Sequence, residues 1–380
     1  MKRALFFFLI VSVGFGAFLI VKAENASQER TDMDSLIAAL KSQKIENYVF
    51  TNEQGNRFLV VPKFGARILA VSIDNENLFW THPDILKGQG GQRSWIAPEG
   101  GAKGFIFRPD WKGNRDFSML DPGDYRMSNY RKNEFMSLQN SFKTASNDGK
   151  EKYDLTLTRE VRLEEDPLKG DPEFKALKYE YLGFDFVHKL KNNSGVGLGR
   201  ILGLWCLVQI PPKGTMIVPV QDVKKDAWRT NYFEPIPEEF VKANPDSFSY
   251  FIHGSQRYKV GVRPESAKGV ICYLSRAQSG NFFMVFMNFP VKPDGRYADR
   301  PKTEQETNGD AIQLYSHLEK GALAFGELEC HSWAFELAAG AEGAFPIKTY
   351  IYKAPLDVLQ KIGNKLVCPQ FDKAFLFQLE

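Results

Sequence analysis

From Tyr48 onward the chain alternates short apolar runs, "YVF", "RFLVVPKFGARILAVSI" and "LFW", with the turn-forming stretches "NEQGN" and "DNEN". Side chains along a strand leave opposite faces of a sheet in turn, and Gly, Asn and Asp end strands because they tolerate turn geometry. The same texture continues through "YDLTLTREVRL", "LGFDFVHKL", "LGLWCLVQI", "MIVPV", "GVICYLS", "FFMVFMNF", "AIQLYSHL", "FGELECHSWAFEL" and "KTYIYKA". Many short strands with no helical period between them predict an all-β sandwich or barrel. Helical spacing is confined to the two ends. "TDMDSLIAALKSQ" predicts a short helix capped by Asp34 or Ser35, with Leu36, Ile37 and Leu40 on one face. "LDVLQKIGNKL", residues 356–366, predicts a second with Leu356, Leu359 and Ile362 aligned, and the final "AFLFQLE" is expected to add an edge strand. No fixed-period repeat and no linker interrupts residues 45–353, which are expected to form one domain between a helical leader (24–44) and a helical tail (354–380).

Composition narrows the class. The 380 residues are 43% hydrophobic and 13% aromatic, ample for a sizeable core, and the formal charge of +3 arises from scattered rather than clustered basic residues. That distribution offers no footprint for nucleic acid. The start, "MKRALFFFLIVSVGFGAFLIVKAENA", has a basic head, an apolar run and the small-residue pattern Val21-Lys22-Ala23, the pattern of a secretory signal cut after Ala23; an uncleaved membrane anchor is the competing reading. Either one sends the remaining chain outside the cytoplasm, to the periplasm or the extracellular space. Cys206, Cys272, Cys330 and Cys368 lie far apart without a C-x-x-C pair, which argues against a zinc cluster and leaves disulfides open; within their apolar runs Cys206 and Cys330 read as small buried hydrophobes.

Against this background "GELECHSW", residues 326–333, is unusual. Read by twos, it sets Glu327, Glu329 and His331 on one face of a strand and Leu328 and Cys330 on the other. Such a row is either a solvated outer face or the wall of a site. The long connection from Thr81 to Tyr125 mixes aromatic, basic and acidic residues with glycines, a composition that favours a binding surface over packing. In it Arg93 either donates to a ligand or pairs with Glu99, and Trp95 and Trp111 are candidates for stacking on an apolar ligand face. Asp110, Asp116, Asp121 and Asp124 follow no recognisable calcium spacing, so no metal is expected. His188, flanked by Phe184, Phe186 and Leu190 at strand spacing, reads as a core histidine.

Three of these stretches resemble the galactose mutarotase-like superfamily, the aldose 1-epimerases and their relatives, and more narrowly an exported branch of it. "FGARILAVSIDNENLFW" is similar to the first hairpin of the epimerases, "GGQRSWIAPEGG" to the loop lining their sugar site, and "GELECHSWAFELAAGAEGAFPIKTYIYKA" to the closing strands that carry the catalytic glutamate. The resemblance implies a large antiparallel β-sandwich, a carbohydrate ligand of one or more sugar units, and Glu329 as general base. It also implies that Trp205 stands where epimerases carry a catalytic histidine. Because an indole does not exchange protons near neutral pH, the acid must be supplied elsewhere.

Mutarotation removes the proton of the anomeric hydroxyl, protonates the ring oxygen and recloses the ring on its other face, so it needs a base and an acid within reach of one sugar and no cofactor. His331 is the first replacement acid and His317 in "LYSHL" the second. Arg93, Trp95, Glu99, Trp111, Trp205 and Glu327 complete the expected binding set. Two alternatives stay open: a carbohydrate-binding protein without catalysis, and a lyase or hydrolase in which Arg93 would neutralise a uronate carboxylate.

Overall fold

The computed structural model describes residues 31–377 except 111, 200–201, 224–226, 255, 305–306, 318 and 320. The signal or anchor segment, residues 1–23, and Trp111 therefore lie outside the described residues.

The alternating runs form β1 (Tyr48–Thr51), β2 (Arg57–Val61), β3 (Arg67–Ile73), β4 (Glu76–Asn77), β5 (Gln92–Ala97), β6 (Arg126–Arg131), β7 (Phe135–Ala145), β8 (Lys152–Leu163) and β9 (Glu180–Asn192). There follow β10 (Gly203–Ile210), β11 (Gly214–Pro219), β12 (Val241–Ala243), β13 (Ser247–Ile252), β14 (Tyr258–Val262), β15 (Val270–Arg276), β16 (Phe282–Asn288), β17 (Ile312–Ser316), β18 (Gly326–His331) and β19 (Glu342–Ala354). They pair into two sheets. The first runs β1-β2-β3-β5-β10-β18-β17-β14 with β4 attached to β3, and the second runs β12-β13-β11-β15-β16-β19-β9-β8-β7-β6. Neighbours are antiparallel. The fold is the expected large antiparallel β-sandwich.

Ile68, Ile96, Leu204, Cys206, Val208, Leu328 and Cys330 of the first sheet share one core with Leu157, Val161, Phe184, Phe186 and Val285 of the second. His188 belongs to this interior, fully buried, with Nδ1 sharing a 3.0 Å hydrogen bond with Ser94 Oγ. All four cysteines are buried with free thiols.

Each sheet also has an outer face, and a helix covers part of each. Helix α1 (Met33–Ser42) starts at Asp32, whose carboxylate accepts from Ser35 N at 2.9 Å, so the cap falls earlier than the expected Asp34 or Ser35. It places Met33, Leu36 and Leu40 on Leu59, Val61 and Leu69 at one end of the first sheet. Helix α2 (Leu356–Leu366) lays Leu359 and Ile362 on Ile217, Leu274, Met284 and Phe286 of the second sheet. The expected edge strand at the end of the chain is not formed over Ala374–Phe377; instead a short 3-10 turn (Phe371–Lys373) precedes it and Phe377 N donates to Thr215 Oγ1 at 2.9 Å. Phe375 N likewise donates to Asn244 Oδ1 at 3.0 Å, so side chains rather than a neighbouring strand take amides of this segment.

Candidate functional site

Strand register explains the row in "GELECHSW". Trp205 lies opposite Trp95 on one side and His331 on the other, and Leu207 lies opposite Arg93 and Glu329. Gln209 faces Glu327, Glu329 faces Gln313, and Glu327 faces Tyr315, which in turn faces Lys259. Directly opposed residues in antiparallel strands project to the same side. A polar and aromatic band therefore crosses β5, β10, β18, β17 and β14 on the outer face of the first sheet, while Leu328 and Cys330 turn into the core. Beyond the stretch covered by α1, this outer face is the floor of a cleft of ≈ 730 Å³. The Thr81–Tyr125 connection folds over it and contributes Leu86–Gln89, Glu99, Phe107, Asn114, Phe117, Asp121 and Pro122 to the walls.

Glu329 is fully buried, and its two oxygens differ. Oε2 accepts from Trp205 Nε1 at 2.8 Å and pairs with Lys259 Nζ at 3.0 Å, whereas Oε1 has no hydrogen-bond partner. Lys259 is 3% exposed and lies 5.2 Å from the centre of the Trp205 ring. Beside this pair, Gln209 links two charges: its Oε1 accepts from Arg93 Nη1 at 2.8 Å and its Nε2 donates to Glu327 Oε1 at 3.0 Å. Arg93 is also 3.6 Å from Glu327 and 3.7 Å from Asp121, with its guanidinium 4.5 Å above the Trp95 ring. Asp121 accepts from Trp95 Nε1 at 2.7 Å and from Arg67 Nη2 at 2.8 Å.

Burial sets the protonation of these groups. It pushes the Glu329 carboxyl up to about 7; Lys259 opposes the shift, and Glu327 and Asp299 add to it. It pushes Glu99 up to about 8, again against Lys259 and with Asp299, Glu329 and Glu327 adding their charge. Glu327 is also raised by burial, with Arg93 and Lys259 opposing. Burial alone would discharge Lys259, but Glu329, Glu99 and Asp299 outweigh it and hold the ammonium charged. Lys259 thus stands as a fixed cation beside two carboxyl groups, Glu329 and Glu99, that titrate near neutrality.

Of the residues nominated by the sequence, Glu329, Glu327, Arg93, Trp95, Glu99, Trp205 and His317 all line this cleft. His331 does not. It stacks on Trp205 with ring centres 5.8 Å apart, is fully buried with neither ring nitrogen hydrogen-bonded, and is pushed by burial down to about 3. A neutral imidazole behind the indole cannot serve as the expected acid. His317 lines the cleft, sharing a 2.9 Å hydrogen bond with Tyr315 OH through Nδ1 and stacking on Phe325. Burial lowers its value, which favours the neutral ring. Arg93 pairs with Asp121 and Glu327, not with Glu99. The four loop aspartates have separate tasks: Asp110 and Asp116 accept from backbone amides, Asp124 pairs with Arg126, and Asp121 belongs to the cleft.

Sequence reasoning missed Lys259, Arg67, Gln209, Tyr315 and Arg257 in the lining. The one available signal was Lys259 itself, a lone cation within the apolar run "YKVGV". A second cleft of ≈ 610 Å³ lies elsewhere, lined by Glu53, Glu164, Asp166, Lys169, Tyr179 and Tyr181. It contains none of the nominated residues, and its tyrosine hydroxyls already donate to Asp166 and to the carbonyls of Glu164 and Glu165.

The chain belongs to the family of unknown function DUF6786, matched over residues 34–373. No curated protein matches it. Among solved structures it is similar to the Slr1438 protein of Synechocystis sp. PCC 6803, with a TM-score of 0.50 at 8% identity over 81% of this chain and 96% of that one. It is also similar to a galactose mutarotase-like protein from Lactobacillus casei ATCC 334, with a TM-score of 0.47 at 11% identity over 80% of this chain and all (100%) of the other. The likeness to the Slr1438 protein concerns the fold alone.

Proposed function

We propose that the protein is a carbohydrate-active protein working outside the cytoplasm, and that its cleft interconverts the anomers of an aldose by acid and base catalysis. The observation that carries this reading is Glu329 Oε1: a carboxylate oxygen in a cleft, without a hydrogen-bond partner, on a group that titrates near neutral pH. Trp205 and Lys259 hold the other oxygen and so fix the orientation of the free one. Glu329 takes the proton of the anomeric hydroxyl while Glu99, protonated at pH 7, gives one to the ring oxygen. The bond between the anomeric carbon and the ring oxygen breaks to the open-chain aldehyde, and rotation followed by the reverse transfers closes the other anomer. Trp95, Trp205, Phe117 and Phe233 offer rings to the apolar faces of a sugar.

The test is exchange NMR on a panel of free aldoses. Wild-type protein should accelerate interconversion, Glu329→Gln should abolish the acceleration, and Glu99→Gln should lower it by about 10²–10⁴-fold. His317→Asn should leave it nearly unchanged. A second reading, a binding protein without catalysis, is favoured by Trp205, whose N–H engages Glu329 where a proton-exchanging side chain would otherwise stand. Sugar binding without acceleration on any aldose would select it.

A further inference from the structure

The charges lining the cleft are sorted by depth. Its carboxylates, Glu99, Asp121, Glu327 and Glu329, are all buried or partly buried, and the inner cations Arg67, Arg93 and Lys259 are each paired with one of them. The exposed charged residues of the lining are Lys63, Lys87 and Arg257, all cationic. None of the three has an ion-pair partner among the described residues, although exposed lysines and arginines elsewhere, such as Arg126 and Lys169, do. Lys63 and Lys87 stand on the β3 and β5 side, and Arg257 stands just before β14 on the other, so a ligand entering meets positive charge on both walls.

Arg257 is also pre-set. Its guanidinium lies 3.9 Å over the Phe233 ring and 5.9 Å from that of Tyr315. A planar fork held against aromatic rings suits two-point binding of a carboxylate, sulfate or phosphate and loses little freedom in doing so. Phe233 remains 37% exposed at this edge. It gives an apolar surface beside the cation, as a sugar bearing an acid group would require.

Resting on the carbohydrate reading above, we infer that the ligand of this cleft is an acidic sugar or glycan, its anionic group held at the mouth by Arg257 within the field of Lys63 and Lys87 and its neutral ring directed to the floor. The mixed, internally paired charges of the floor suit hydroxyls, whereas the unpaired mouth suits an anion. Sugar carboxylates, sulfates and phosphates share the chemistry that this mouth recognises.

The experiment is calorimetric titration of the full chain with matched sets: an aldohexose of galacto, gluco or manno configuration beside its uronate, 6-sulfate and 6-phosphate. One acidic member should bind at least about tenfold more tightly than its neutral parent, and the advantage should shrink as salt is raised from about 20 to about 500 mM. Which acid gains most identifies the source of the charge. Arg257→Gln in combination with Lys63→Gln and Lys87→Gln should erase the advantage and leave the neutral sugar's affinity unchanged, while Lys143→Ala, on the exposed side of β7, should alter neither. Neutral sugars binding as tightly as acidic ones would overturn this inference and leave the carbohydrate reading standing. So would an acid preference that survives the triple substitution. Failure of every sugar, neutral or acidic, to bind would bring down both.

Discussion

Glu329 and Lys259 lie 3.0 Å apart with neither open to solvent, so removing one strands the other in the interior. At pH 8, above the Glu329 value of about 7, Glu329→Gln is expected to cost about 3–5 kcal/mol because Lys259 keeps its charge without its nearest counter-ion. Glu329→Gln with Lys259→Met should recover most of that loss in urea unfolding, since no charge is left unpaired. Equal destabilisation of the single and double variants would show that the stranded Lys259 charge is not the source of the loss. The same groups set the pH dependence of catalysis. Glu329 must be ionised and Glu99 protonated, and with values of about 7 and about 8 the rate should follow a narrow bell peaking between them. Its two limbs belong to the interacting carboxyls as a set. A rate that still rose steadily above pH 9 would remove Glu99 as the acid. At this scale the sequence disclosed the acids and aromatics, because "GELECH" and "GGQRSWIAPEGG" carry them in readable local patterns. It concealed Lys259 and Gln209, which matter only because pairing sets them beside Glu329 and Glu327, and no local pattern reports a partner 70 or 118 residues away in the chain. His331 misled for a related reason: alternation gives the correct face, but it does not say that an indole from the neighbouring strand will stack on it.

Most elements were legible, since apolar alternation and turn residues report strands directly, and α2 spans the residues its spacing predicts. Edges were less so. The tail read as a strand from its apolar content, yet its backbone docks through Thr215 and finds no ladder to join. Placement of the site depends on β5, which enters from a close approach of backbone to backbone. Gly91, just before β5, has φ +68°, and a Cβ there would collide with the Ile68 carbonyl oxygen and come within 2.7 Å of Leu69 Cα on β3. Gly91→Ala therefore meets both left-handed strain, about 1–3 kcal/mol, and a backbone clash that only separation of β3 from β5 relieves. The expected outcome is a lower melting temperature together with weaker sugar binding, because Arg93 and Trp95 lie two and four residues further along the displaced strand. Gly149→Ala provides the comparison: it has φ +67° with open space around its Cβ, so it should show the strain alone and no binding defect.

For the whole molecule, the buried titratable groups tilt stability with pH in opposing directions. His331 is held neutral in the fold down to about 3, while in the unfolded chain it takes a proton below its ordinary value of 6.5, so its contribution is present above 6.5 and lost on acidification. Glu99 and Glu329 behave oppositely. Their folded values of about 8 and about 7 exceed the ordinary carboxylate value of 4.5, so stability is present below 4.5 and falls as pH rises through the folded values. Between pH 4.5 and 6.5 the unfolded chain gains one proton at the histidine and releases two at the glutamates relative to the fold, and these groups together make stability fall as pH rises. Replacing His331 by Phe removes only the opposing member. Going from pH 7 to pH 5, the His331→Phe protein should gain about 2 kcal/mol relative to wild type, as read from urea midpoints at the two pH values. The ring of Phe fills the place against Trp205 without asking for hydrogen bonds that His331 does not make. If the difference between the two proteins stayed constant with pH, His331 would have to be charged or hydrated in the fold, and the dry wall behind Trp205 that keeps the Glu329 environment poorly solvated would have to be redrawn.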